Sequence, residues 1–137
     1  MRNIIITMLL SMVILVLAGC NTQPKLKGSY QSETHVNGYY IQISIHHNDN
    51  VFVEYIDNRE VDRGTFEEIE TGKYLMTSDH QEFTIDLNKD NSFYMTIKKL
   101  NDGNPIKMIN LDDVPVTFPP QFDDVEEYKE LIGVLIS

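Results

Sequence analysis

The run Tyr39-Tyr-Ile-Gln-Ile-Ser-Ile-His46 alternates with period two. Tyr39, Ile41, Ile43 and Ile45 share one face, and Tyr40, Gln42, Ser44 and His46 share the other, the pattern of a strand with one side in a core and one toward water. Working outward, similar short runs rich in β-branched and aromatic residues recur: Lys27 to Ser32 before it, then Val51 to Ile56, Arg63 to Glu68, Lys73 to Thr77, Glu82 to Leu87, Ser92 to Lys98 and Pro105 to Asn110. Strong turn formers separate them, among them His47-Asn-Asp-Asn50, Asp57-Asn58, Thr71-Gly72, Ser78-Asp79, Asn88-Lys-Asp-Asn91 and Asn101-Asp-Gly-Asn104. No helix-length crossover joins these runs, so the strands are antiparallel. The expected fold is all-β, with about eight strands in a small up-and-down barrel. A two-sheet sandwich is the other closure, and hairpin-length links favour the barrel.

Phe118-Pro-Pro120 ends any strand, after which Asp123 or Asp124 stands in capping position with Glu126 or Glu127 three residues on. Val125, Tyr128, Leu131, Ile132 and Leu135 then fall on one helical face, predicting one C-terminal α-helix against the barrel. Gly133 interrupts the pattern, and Gly133 to Ile136 reads equally well as a short last strand. The body is thus a single domain over residues 28–137.

The amino terminus has a different character. Arg2 precedes a nearly unbroken apolar run from Ile4 to Leu17, short of the roughly 20 residues that cross a bilayer and suited to a signal peptide. The run closes in Leu17-Ala18-Gly19-Cys20, which resembles the bacterial lipobox. That resemblance implies that residues 1–19 are a signal peptide removed on export. It also implies that the Cys20 sulfur carries diacylglycerol, a lipid anchor into which labelled palmitate would enter. Each buried methylene contributes about 0.8 kcal/mol, so two chains suffice for stable anchoring. Residues 20–27 are then the lipidated cysteine and a polar tether, with Asn21 to Lys27 reaching at most about 25 Å when extended. The expected address is the extracytoplasmic face of the cell membrane.

The order of elements resembles the lipocalin or calycin superfamily, and in particular the small lipocalin-like lipoproteins of Gram-positive bacteria. Gly28-Ser29-Tyr30 stands where lipocalins carry Gly-x-Trp at the start of the first strand, with tyrosine in place of tryptophan. The chain is shorter than a lipocalin and matches none of the other lipocalin motifs. The resemblance implies a cup for a small apolar ligand, although a barrel of this size can also be filled by its own side chains.

Composition narrows the function further. Among 137 residues, 21 acidic against 11 basic side chains give a formal charge of −10. Phosphate backbones would be repelled, which argues against nucleic acid as a partner. With a single cysteine there is no disulfide, no second thiolate and no zinc knuckle. His46 and His47 are adjacent and point to opposite faces of a strand, and His35 and His80 have no ligand spacing to them, so no metal site and no cofactor are expected. Asp112-Asp113, Asp123-Asp124 and the cluster Glu67, Glu68 and Glu70 read as solvated or capping acids rather than a catalytic pair. The chain is expected not to be an enzyme.

Rings are abundant, and Tyr30, Tyr40, Tyr55, Tyr74 and Tyr94 are the candidate ligand-contacting residues, as tyrosines whose hydroxyls give a cavity polar tips. The expected function is a monomeric, membrane-anchored module that binds a small apolar or amphipathic ligand. The alternative is an interaction protein, similar in address and size to lantibiotic immunity lipoproteins, whose acidic exterior captures a cationic peptide or protein.

Overall fold

A computed structural model describes residues 22–133. Eight strands follow in order: β1 (Gly28–Ser32), β2 (Ile41–His46), β3 (Val51–Ile56), β4 (Arg59–Glu70), β5 (Lys73–Ser78), β6 (Glu82–Asp86), β7 (Phe93–Met95) and β8 (Ile106–Asp112). A one-turn helix α1 (Lys98–Asn101) lies between β7 and β8, and α2 (Val125–Leu131) follows the sheet. Cys20 and its surroundings, Leu135 and the proposed last strand at Gly133 to Ile136 fall wholly or partly outside the described residues.

All ladders are antiparallel, in the order β6-β5-β4-β3-β2-β1-β8-β7. This is the cyclic order of an up-and-down barrel, closed by β8 on β1. The seam falls between β6 and β7, where the strands approach without a ladder. The barrel is therefore nearly closed, consistent with a small lipocalin-like barrel.

Local chemistry explains the hairpins. Asp57 and Asn58 both take positive φ, 47° and 69°, the primed turn whose twist matches that of the flanking strands. Two expectations shift. The fourth strand begins at Arg59 rather than Arg63, because bulges at Glu54/Tyr55 and Glu68/Glu70 let it follow both neighbours around a tight curve. The seventh covers only Phe93–Met95, because Ile97 N-caps a helical turn that buries Leu100.

The alternation of β2 points Ile41, Ile43 and Ile45 inward, all buried. With Phe52, Ile56, Phe66, Met76, Ile85, Phe93 and Met108 they form one continuous core. Rings interlock across it, Tyr30 on Phe93 at 5.0 Å and Phe52 edge-on to Phe83 at 5.9 Å. The interior is thus occupied by the barrel's own side chains.

Tyr128, Leu131 and Ile132 of the expected helical face pack against this core, with Tyr128 edge-on to Tyr39 at 5.8 Å. Asp124 is the N-cap of α2, but its carboxylate makes no cap hydrogen bond. It is turned to Arg59 instead.

The second half of the expected tether is docked rather than free. Leu26 is fully buried in the core, its N–H donating to the Tyr74 hydroxyl at 3.1 Å. Gln23 Nε2 donates to the Leu87 carbonyl at 2.6 Å, and Lys25 pairs with Glu68 at 3.1 Å. An apolar side chain in an otherwise polar stretch was enough to bring this segment onto the fold.

Candidate functional site

The five tyrosines do not converge. Tyr30 and Tyr74 are buried at the barrel end where the N-terminal segment lies. The Tyr30 hydroxyl donates to Asn91 Oδ1 at 2.8 Å, and burial pushes both hydroxyls up to about 12. Both rings belong to the core cluster. Tyr40 is half-buried with its ring against that of His35 at 3.9 Å, and Tyr94 is 54% exposed on β7. Tyr55, Tyr30 and Tyr94 border three separate recesses, Tyr30 a narrow one of about 60 Å³ and Tyr94 a more polar one, and Tyr55 borders the ring-lined one from the outer wall.

That recess is made by a segment whose role was not legible as a site. After β8 the chain crosses the outside of the barrel over β2 and β3. Val116 N–H donates to Ser44 Oγ at 3.2 Å, and the Ser44 hydroxyl returns a bond to the Val116 carbonyl. Outward-facing Ser44, Val53 and Tyr55 are therefore buried although they point away from the barrel interior. Phe118 meets Tyr55 edge-on at 4.9 Å, and burial raises the Tyr55 hydroxyl above its ordinary value.

Between this segment, the β3–β4 hairpin and α2 lies a groove of about 350 Å³. Tyr55, Phe118, Pro119, Pro120 and Phe122 supply its apolar surfaces, and Arg59, Arg63 and Lys129 its cations. Arg59 is fully engaged in shaping it. Its guanidinium forks onto both Asp124 oxygens at 3.0 Å, donates to the Asp57 carbonyl at 2.7 Å, and lies over the rings of Phe122 at 3.8 Å and Tyr128 at 4.5 Å. The forked bond holds the Asp124 carboxyl below its usual range. Arg63 and Lys129 have single, solvent-exposed acid partners, Glu60 at 2.6 Å and Glu126 at 3.2 Å, which an anionic ligand group can displace at small cost.

A planar apolar body on the rings with an acidic group toward Arg63 and Lys129 is the chemistry this arrangement accepts. The sequence marks Phe118-Pro-Pro-Gln-Phe122 only as rings and prolines too close together for a strand; that Arg59 and Arg63 come beside it is a long-range contact. Among the described residues, no group of three or more His, Cys, Asp or Glu comes together to hold a metal. No helix among them is long and apolar enough to cross a membrane.

The acids Glu67 and Glu70 are exposed near the β4–β5 hairpin, and Glu68 is drawn toward Lys25. A hydrogen bond from Tyr74, with Lys25 second, keeps the Glu68 carboxyl below its usual range.

The class that fold and groove define is a small eight-stranded antiparallel barrel with a C-terminal helix and a ring-lined recess on its wall. No protein-family model, no curated protein and no solved structure matches the chain.

Proposed function

We propose that this chain is a non-enzymatic, lipid-anchored binding module on the extracytoplasmic face of the cell membrane, taking a small amphipathic molecule in the groove beside Tyr55 and Phe118. The lipobox at Leu17 to Cys20 supports the address. The groove itself carries the ligand reading: in a chain of net charge −10, it joins the rings of Tyr55, Phe118 and Phe122 to three cationic side chains. A barrel interior filled by its own side chains favours the outer-wall groove over a cup at the barrel mouth as the ligand site of this reading. The ligand class is accordingly a flat apolar body bearing a carboxylate, sulfonate or phosphate.

An anilinonaphthalene sulfonate dye has both parts and tests the reading. The fragment beginning at Gln23 should bind it saturably at one site, and Phe122→Ala should weaken binding by about tenfold, the loss of one ring contact. Dye binding that is undetectable, or unchanged in Phe122→Ala, would reject the groove. The address is tested separately: labelled palmitate should enter the chain and be lost in Cys20→Ala.

A second reading rests on a different surface. The exposed acids Glu67 and Glu70 on a strongly acidic body favour capture of a cationic peptide at low salt. Peptide binding that persists unchanged at about 0.5 M salt rejects it.

A further inference from the structure

The inward row of β3 runs Phe52, Glu54, Ile56, placing a carboxylate where the alternation calls for an apolar side chain. Glu54 is fully buried, and its ladder partner on β4, Asp62, is buried too. Both acids meet a single amide. Gln81 Nε2 donates to Glu54 Oε2 and to Asp62 Oδ2, each at 2.7 Å, and the Ser78 hydroxyl donates to the same Asp62 oxygen at 2.7 Å. The other Glu54 oxygen, Oε1, is buried without a hydrogen-bond partner.

The surroundings do not neutralise this pair. β2 presents Ile43 opposite Glu54. On β4, Glu60 and Arg63 bond to each other at the surface. The β5–β6 turn contributes Asp79 and His80, both exposed, and α2 contributes Lys129, which is bonded to Glu126. These last groups border a depression of about 290 Å³ that reaches Asp62. Two carboxylates held in the barrel with one amide and one hydroxyl between them are under-compensated if both are charged.

We propose that Glu54 and Asp62 form a proton-holding latch: the pair keeps one proton while the Ser78–Gln81 turn is closed over it, and loss of that proton frees the turn and admits water. Released, the pair leaves two like charges facing one amide, and hydrating them requires Gln81 to move. Burial, opposed by the Gln81 bond and reinforced by the Asp62 charge, pushes Glu54 up to about 7, which sets the latch near neutrality. The unfolded chain gives up this proton at an ordinary carboxyl value, so between there and about 7 the folded chain holds one proton more. The stability Glu54 contributes is therefore complete at low pH and declines as pH rises through that window.

The test follows the full-length chain in detergent micelles from about pH 5 to about pH 9 by carboxyl ¹³C NMR and by amide exchange, corrected for the intrinsic base-catalysed rate. The Glu54 carboxyl should titrate near neutrality. The His80 and Gln81 amides, which donate to Ser78 Oγ at 3.1 Å each, should lose protection by up to about tenfold per pH unit from the ordinary carboxyl range up to that midpoint, and level off above it. Glu54→Gln should abolish this pH dependence, and His80→Gln should keep it. A Glu54 signal that titrates in the ordinary carboxyl range overturns the latch, as does a loss of protection that disappears in His80→Gln. If Glu54→Gln does not fold, the unmodified carboxyl signal and the His80→Gln profile still decide the matter.

Discussion

The Tyr74 hydroxyl accepts the backbone N–H of Leu26 at 3.1 Å, and through that bond the chain just after the proposed anchor becomes part of the barrel's core. Leu26 and Tyr74 are both buried, so the N–H has no water to turn to if the hydroxyl is removed. Gln23, three residues before Leu26, is held as well, its amide donating to the Leu87 carbonyl.

Tyr74→Phe should therefore cost about 1–2 kcal/mol, the penalty for an unpaired buried donor. Leu26→Ala should cost about 2–4 kcal/mol from lost burial and the cavity left behind. Both are measurable by urea unfolding, and amide exchange at Leu26 should accelerate in Tyr74→Phe. Unchanged exchange there would mean that the segment is not held by this bond.

Gly64 in β4 makes a second, steric prediction. A Cβ at that position would lie 2.1 Å from the Thr77 carbonyl oxygen on β5 and 2.8 Å from the Phe52 ring. Neither neighbour can yield freely, since one is ladder backbone and the other is a buried core ring. Gly64→Ala should lose about 2–3 kcal/mol or fail to accumulate as soluble protein, whereas Gly103→Ala, with nothing near its Cβ, meets no such clash and pays only for its positive φ. Equal stability of Gly64→Ala and the parent chain in urea would show that the two strands are farther apart than described.

Much of this architecture was readable from residues alone, and the reasons are local. Tyr39 to His46 is read by period, because one inward face of isoleucines leaves a strand no other register. Asp57-Asn58 is read by turn chemistry, because few residue pairs accept two positive φ values in succession. The length of β4 was not legible: Arg59 to Glu70 holds seven charged residues and one glycine, and it pairs only because both neighbours supply ladders. Ser44 lies on the polar phase of β2 and Tyr55 on the outward phase of β3 with Val51 and Val53, and nothing near them in sequence announces the later segment that covers them. The candidate groove needed that long-range contact and so stayed hidden. Glu54 was open to view, in phase with Phe52 and Ile56, as an acid on the core side of a strand.

The buried tyrosines give a spectroscopic prediction. Tyr30 and Tyr74 have hydroxyls pushed up to about 12, burial being the main cause in each. In a difference titration of phenolate absorbance, both should remain protonated at pH values where free tyrosine is ionised. Their ionisation should coincide with unfolding, since a phenolate in the core is poorly solvated and that of Tyr30 can no longer donate to Asn91. Complete, reversible ionisation of all seven tyrosines near the free value would contradict their burial.

The attachment of α2 combines the packing of Tyr128, Leu131 and Ile132 with one ion pair seated between rings, and its pH behaviour follows from the Asp124 carboxyl. Arg59 holds that group below its ordinary value mainly by the forked hydrogen bond, so the folded chain binds this proton less readily than the unfolded chain does. The contribution is therefore present above the ordinary aspartate range and is lost as pH falls through the lowered folded value. Acidification should release α2 before the barrel unfolds, because the barrel's ladders and isoleucine core do not depend on Asp124. The signature is early loss of the Tyr128 contact to Tyr39, followed by ring NMR shifts, with the strand signals intact. Asp124→Asn should show the released state already at neutral pH. Arg59→Lys should not restore it, because an ammonium cannot fork onto two carboxylate oxygens while lying flat between Phe122 and Tyr128. Since Phe122 borders the groove, both variants should also weaken dye binding there. Retention of full dye affinity in Asp124→Asn would separate the helix from the groove and leave Phe118 and Tyr55 as its walls.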